Sequence, residues 1–259
     1  MIRIKQKLAR GELVRIFGAT QLLSTKLVEI VGDHGHYDGL WLDAEHGGLT
    51  QRDIELATLA AKASGLEAFV RLPATDYATI MRPLEAGAGG VMVSMIHSAE
   101  EAEQAVRWAK FYPRGTRGIN NGNRDGRFGR LPIADYVVQA NAQTFVGLQI
   151  ETQGALEQIE AIVQVPDVDL IFVGPADLSQ MLGVPGQVLH PDCLAAVDRI
   201  ATVCARFGKP WGVVPIGTDH GRVMLEKGCR MFVCGFDIHA MHAGLDALKE
   251  RHSYLDSGA

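Results

Sequence analysis

From one end to the other, the chain alternates between short apolar runs and longer segments whose apolar residues recur at helical spacing. Eight runs rich in Val, Ile, Leu and Phe lie at residues 13–17, 39–42, 68–71, 90–95, 145–150, 170–173, 211–215 and 231–234. Their length and composition read as buried parallel strands. Helical segments fill the gaps at 24–33, 51–63, 76–86, 99–111, 155–163, 191–207, 219–226 and 240–251. Ser98 with Glu101 makes a capping box ahead of the fourth helix. Gly65, Gly87, Gly208 and Gly228 fall where helices should stop. Alternation of this kind, with no break in composition, predicts an α/β fold: a (β/α)8 TIM barrel, with residues 1–259 as a single domain. An open doubly wound sheet would want a Gly-rich phosphate turn after the first strand, and GATQLLS is not one. Segment 113–129 is too long and too rich in Gly, Asn and Arg for a plain connection. It is expected to form a rim or lid element, followed by an extra helix at 132–141.

Composition narrows the classes. A 47% hydrophobic content supports a sizeable core, and 21% charge with 29 Gly fits a soluble α/β protein. Net charge is −5, and the most basic stretch, 113–130, carries five Arg against one Asp with a single aromatic. That suits a phosphate or carboxylate contact; a nucleic-acid surface is not expected. No apolar run approaches the ~18 residues of a membrane span, and the charged N-terminus has no signal-peptide core. Cys193, Cys204, Cys229 and Cys234 show no CxxC spacing and read as reduced structural thiols of a cytoplasmic protein.

Ligands of parallel α/β sheets collect at the carboxyl ends of the strands. Asp43, Glu45, His46, Arg71, Glu151 and Asp177 all fall there. Glu151 and Asp177 end neighbouring strands, which lie ~4.8 Å apart, so the two carboxylates can share one divalent ion. Two protein ligands leave positions open for a substrate that chelates through its own oxygens. The plainer alternative is that each carboxylate caps a helix or pairs with an Arg. His46 follows Asp43 by three residues, close enough for the carboxylate to fix the imidazole tautomer and make a general base; the alternative is a loop histidine bonded to backbone. Arg71 would hold a carboxylate or a developing enolate oxygen, or pair structurally with Glu45 or Asp43. None of the eight lysines ends a strand at this rim, which argues against imine chemistry.

The stretches LDAEHG, FVRLP, LEAGAGGVMV, YPRGTRG, QIET and FVGPADLSQMLG, in that order, resemble the HpcH/HpaI family of metal-dependent pyruvate aldolases. The resemblance runs from about Phe17 to Leu248 and rests most on QIET together with GPADLS. It implies that Glu151 and Asp177 hold a divalent cation (Mg²⁺, Mn²⁺ or Co²⁺). It further implies that His46 acts in proton transfer with Asp43, and that Arg71 binds pyruvate and polarises its carbonyl. By the same resemblance Gln149 lines the pocket, and Gly174, Pro175 and Ala176 bind the pyruvate carboxylate through backbone. The reaction implied is retro-aldol cleavage of a 4-hydroxy-2-oxo acid to pyruvate and an aldehyde. Three departures stand out. Ser94 replaces the proline of a V-P-M pattern. Glu85 replaces the Asp of an L-D-A-G-A turn and is expected beside the His46 pocket, where it would meet substrate. The 119–129 stretch, INNGNRDGRFG, is atypical.

The resemblance also implies a homo-oligomer, a hexamer built as a trimer of dimers that exchange a C-terminal helix at about 238–251. Two rival functions share the same residues. One is different enolate chemistry on the same metal site, such as a decarboxylase or another lyase. The other is a non-catalytic barrel that binds a metabolite. A coenzyme A partner, as in citryl-type lyases, would want a distinct basic patch that the chain lacks.

Overall fold

The structure, a computed structural model, describes residues 3–258. Parallel strands pair in sequence order and close on themselves: β1 (Val14–Ala19), β2 (Gly39–Asp43), β3 (Glu67–Pro73), β4 (Gly90–Ser94), β5 (Phe145–Ile150), β6 (Leu170–Val173), β7 (Trp211–Val213) and β8 (Met231–Phe236). The helices are α1 (Ile4–Ala9), α2 (Thr25–Asp33), α3 (Gln51–Ala63), α4 (Tyr77–Glu85), α5 (Ala99–Ala109), α6 (Ile133–Gln143), α7 (Gln153–Glu157), α8 (Ile159–Gln164), α9 (Pro175–Met181), α10 (Pro191–Arg206), α11 (Gly217–Glu226) and α12 (Asp237–Arg251). The expected (β/α)8 barrel is present.

Side chains alternate between the two faces of each strand. One set, including Ile16, Trp41, Phe69, Met92, Phe145 and Phe172, fills the barrel interior. The other, including Leu40, Leu42, Val70, Val91 and Val93, packs against the surrounding helices. Continuing the interior parity beyond the apolar layers gives Asp43 after Trp41, Arg71 after Phe69, and Gln149 then Glu151 beyond Phe145. Alternation thus delivers these polar residues to one end of the barrel, above a filled core.

The opposite end is closed by α1, which the charged N-terminal sequence had left as an unassigned tail. Ile4 and Leu8 are one helical turn apart and join the interior cluster. Glu67, 6% exposed, accepts from the Ile4 N–H at 2.6 Å and pairs with Arg3 at 3.3 Å. Three other boundaries differ from expectation. The helix expected at 155–163 is two short ones, α7 and α8, broken at Gln158. Pro175 opens α9, a helix missed between strand and loop because proline at a first helical position reads as a breaker in a short segment.

The third concerns the segment after α5. Expected as a rim or lid element, it packs instead on the N-terminal end of the barrel and the flank of α4. Arg114 pairs with Asp167 ahead of β6, and Arg124 lies against Gly87. Arg117, 4% exposed, stacks on Phe111 and bonds Asp125 and Tyr136. The reason is direction: α5 returns the chain to the end where β5 begins, and the buried arginine needs those partners. A cavity of about 220 Å³ lies between this segment and the starts of β3 and β4, lined by Arg3, Glu67, Arg117 and Tyr136 among others.

Candidate active site

The site begins with an arginine fork. Arg71 donates from Nε to Asp43 Oδ1 at 3.0 Å and from Nη2 to Asp43 Oδ2 at 2.5 Å. Its Nη1 meets Glu45 at 3.3 Å, and the guanidinium sits 4.9 Å over the Trp41 ring. Asp43 and Arg71 stand level on adjacent strands, so the pair is a direct product of register. Both structural pairs considered from the sequence are made. A guanidinium carries five N–H donors; two bond Asp43 and Nη1 is drawn toward Glu45, which leaves at least one each on Nη1 and Nη2 for a substrate oxygen.

Asp43 does not orient the His46 imidazole, contrary to expectation. Its carboxylate is taken by Arg71, and Oδ1 also accepts from the backbone N–H groups of Glu45 and His46 at 3.1 and 3.2 Å. Spacing placed Asp43 and His46 in one turn, but the two-pronged, charged Arg71 fork is the stronger partner. The imidazole points outward, with its side chain 66% exposed, and its nearest carboxylate is Glu45 at 3.9 Å.

Across the barrel mouth, Glu151 is 4% exposed. Its Oε1 accepts from the Met95 N–H at 3.0 Å and its Oε2 from Gln149 Nε2 at 2.5 Å. Burial raises its pKa and the nearby charges of Asp177 and Glu45 raise it further, while the two hydrogen bonds oppose this. Asp177 lies in the first turn of α9 and is exposed. A buried carboxylate facing two others is the arrangement a hard cation relieves, and a two-carboxylate donor set suits a divalent ion with oxygen ligands. Among the described residues no group of three or more His, Cys, Asp and Glu side chains stands ready for a metal, so the pair would leave several coordination positions open. Gly174 is required beside it: a Cβ there would lie 2.3 Å from Glu151 Oε2 and 2.7 Å from Gln149 Nε2.

Of the three residues expected to bind a carboxylate through backbone, Pro175 has no N–H to give. It is buried at the first position of α9, and only Gly174 and Ala176 can donate. Glu85 ends α4 at the other end of the barrel, beside Arg117 and Asp125, so it does not meet His46 within one chain. Its position follows from α4 running back from the C-terminal end of β3.

Sequence reasoning missed two contributors, Met95 and Asp237, and marked a third, Ser94, only as a departure from the family pattern. Met95, with φ of 54°, turns its N–H onto Glu151, and nothing in its side chain signals that. Ser94 ends β4 with its hydroxyl buried in the barrel mouth and no partner. Asp237, 2% exposed, accepts from the N–H groups of Thr20, Gln21 and Leu22 at 2.8, 2.9 and 2.7 Å, pinning the loop after β1. Burial alone would raise its pKa, but these bonds hold it below the usual range. His220, by contrast, is structural: burial lowers its pKa and Nδ1 accepts from the Ile216 N–H.

The model of the HpcH/HpaI aldolase/citrate lyase family matches residues 21–243. A hydroxypyruvate/pyruvate aldolase of Roseobacter denitrificans is 34% identical over 90% of both chains. A 5-keto-4-deoxy-D-glucarate aldolase of Klebsiella pneumoniae is 32% identical over 88% of this chain and 87% of its own. Among solved structures, an HpcH/HpaI aldolase from Desulfitobacterium hafniense superposes with a TM-score of 0.89 at 30% identity, covering 96% of this chain and 98% of that one. The strand-end residues and these relatives agree: the chain belongs to the HpcH/HpaI aldolase/citrate lyase family.

Proposed function

We propose that this enzyme is a divalent-cation-dependent carbon–carbon lyase that cleaves 4-hydroxy-2-oxo acids reversibly to pyruvate and an aldehyde. The observation that carries the reading is Glu151, a buried carboxylate with the charges of Asp177 and Glu45 nearby, at a barrel mouth that also holds the Arg71–Asp43 fork. The relatives named above, a pyruvate aldolase and a 5-keto-4-deoxy-D-glucarate aldolase, support the same substrate class.

Glu151 and Asp177 would hold the cation, Mg²⁺, Mn²⁺ or Co²⁺. When bound, it supplies Lewis-acid polarisation of the 2-oxo and carboxylate oxygens of the substrate. Met95 N–H and Gln149 Nε2 keep the Glu151 carboxylate in place. The two remaining Arg71 donors meet the ketone oxygen, where negative charge develops as the enolate forms. Asp43 and Glu45 hold that guanidinium so that it need not reorganise. Ala176 N–H, in the first turn of α9, meets the carboxylate. His46 takes the C4 hydroxyl proton; the C3–C4 bond breaks, its electron pair passes to the pyruvate enolate, and the C4 oxygen becomes the aldehyde carbonyl. Protonation at C3 completes pyruvate.

The exposed His46 fits a site closed by a second copy of the chain, as a trimer of dimers would provide. Beyond Ile238, α12 is exposed all round and presents Met241, Leu245 and Leu248 along one side, so it does not pack as an eighth helix on its own barrel. Exchange of that helix covers the stripe. Glu85, unable to reach His46 in its own barrel, would approach the site of a neighbour. Four free thiols, three of them buried and Cys234 exposed, suit the cytoplasm; burial pushes Cys204 up to about 12.

Pyruvate release coupled to lactate dehydrogenase tests the reading over a panel of 4-hydroxy-2-oxo acids. EDTA should abolish turnover and Mg²⁺, Mn²⁺ or Co²⁺ should restore it, while Glu151→Ala should stay inactive with metal present. Undiminished turnover in chelated Glu151→Ala would sink the assignment.

A further inference from the structure

Two buried polar atoms at the barrel mouth have no hydrogen-bond partner: Ser94 Oγ and Gln149 Oε1. Ser94 is 1% exposed and Gln149 is 3% exposed. Both side chains face the interior, because Ser94 continues the parity of Met92, and Gln149 that of Phe145. Register brings them level. Val93 pairs with Leu148 across β4 and β5, so the next step sets Ser94 beside Gln149. Adjacent strands lie ~4.8 Å apart, a gap that a turn of the Ser94 side chain about χ1 or one bridging water can span.

The carboxamide of Gln149 can sit either way round. Its Nε2 contacts Glu151 Oε2 and lies on the side of Gly174, beyond β6. The oxygen is the other prong, and β4 is the strand on the other side. Were the amide flipped, an oxygen would face the Glu151 carboxylate, acceptor against acceptor. The contact with Glu151 favours the present orientation but leaves the oxygen buried without a partner, which is costly; the side-chain hydroxyl at the end of β4 is that of Ser94.

We propose that Ser94 is a positioning residue: its hydroxyl donates to Gln149 Oε1, through one bridging water or after a turn about χ1, and so keeps the amide turned with its NH₂ on Glu151. This rests on the reading that Glu151 and Asp177 hold the cation. A proline at position 94 could not make the bond, so the device is particular to chains with a hydroxyl here. Partners that orient metal ligands typically matter by 10–100-fold in metal affinity.

Calorimetric titration of the metal-free protein with Mn²⁺ reads the effect without turnover. Ser94→Ala should weaken Mn²⁺ binding about tenfold, and Ser94→Thr, which keeps the hydroxyl, should restore most of it. In a Gln149→Met background the Ser94→Ala change should cost nothing further, since the group it acts on is gone. Ser94→Ala binding Mn²⁺ as tightly as the unaltered chain would overturn the proposal, as would an undiminished loss in the Gln149→Met background. Failure of the unaltered chain to bind Mn²⁺ at all would instead overturn the cation site, and the role of Ser94 with it.

Discussion

At the scale of single residues, the site divides work between groups that are held and one that is free. Arg71 is locked by two carboxylates and a ring face, whereas His46 stands in the open. A locked donor stabilises developing charge without reorganisation; an exposed imidazole, free of a fixed carboxylate partner, can pass a proton to or from substrate. Two variants should therefore behave differently. His46→Ala should lower kcat by ~10²–10⁴, the usual range for a positioned acid or base, with Mn²⁺ affinity little changed. Arg71→Lys should fail through geometry, since a point charge cannot reproduce the two-pronged hold on Asp43; a loss of at least ~10² is expected for a misplaced group of this kind. Exchange of pyruvate methyl protons with D₂O, followed by proton NMR, reads both. Exchange at the unaltered rate in His46→Ala would remove that residue from proton transfer. The residue types were legible in the sequence, but their pairing was not: Asp43 is three residues from His46 and 28 from Arg71, yet register gives it to Arg71.

At the scale of elements, the end of α5 carries a buried lysine that ties α6 to β5. Lys110 is fully buried and donates to the carbonyls of Thr144 and Asn141 at 2.6 and 3.0 Å. Burial lowers its pKa from 10.5 to about 8, and Lys5 lowers it further while Asp169 and Asp167 oppose. The sign follows from proton counts. Between about 8 and 10.5 the unfolded chain holds the Lys110 proton more firmly than the folded one, so stability rises with pH across that window. Below it both states are charged and the folded state bears the full burial cost, roughly 3 kcal/mol for a shift of this size. Urea unfolding of the metal-free protein at pH 7.5 and 9.5 should show the stability gap to Lys110→Met moving in favour of the lysine protein at the higher pH. A gap independent of pH would show that Lys110 keeps an ordinary pKa. Most element positions were readable from apolar periodicity. The exceptions, α1 and α9, are short helices whose signal is two apolar residues or a proline, too little to stand out before the packing partner is known.

At the scale of the molecule, α12 is the helix that a single chain leaves uncovered. Asp237 fastens the first turn of α12 to the loop after β1, and the helix leaves the barrel from there. Deleting the chain from Ile238 onward keeps that clamp and removes the exposed stripe. The truncated protein should lose its assembly and its turnover together, measured by light scattering and the coupled pyruvate assay. A fully active monomer of the intact 28.0 kDa chain would rule out a site completed between subunits.

By itself, the sequence determined the barrel and the identity of the strand-end residues. Both depend on local order, namely apolar runs of strand length and the residue that follows each run. It also placed Glu151 and Asp177 just beyond neighbouring strands, because a parallel barrel built in chain order makes consecutive strands adjacent; Asp177 itself, expected to end β6, stands in the first turn of α9. Only the tertiary structure decided which partner each charge takes. Asp43 chose Arg71 over His46 because the two are level across β2 and β3. Glu85 went to the far end of the barrel because a helix after a strand must run back. Segment 113–129 followed α5 to that same end, where Arg117 found Asp125 and Tyr136. Contacts between residues distant in the chain depend on register, helix direction and burial, and those exist only once the barrel has closed.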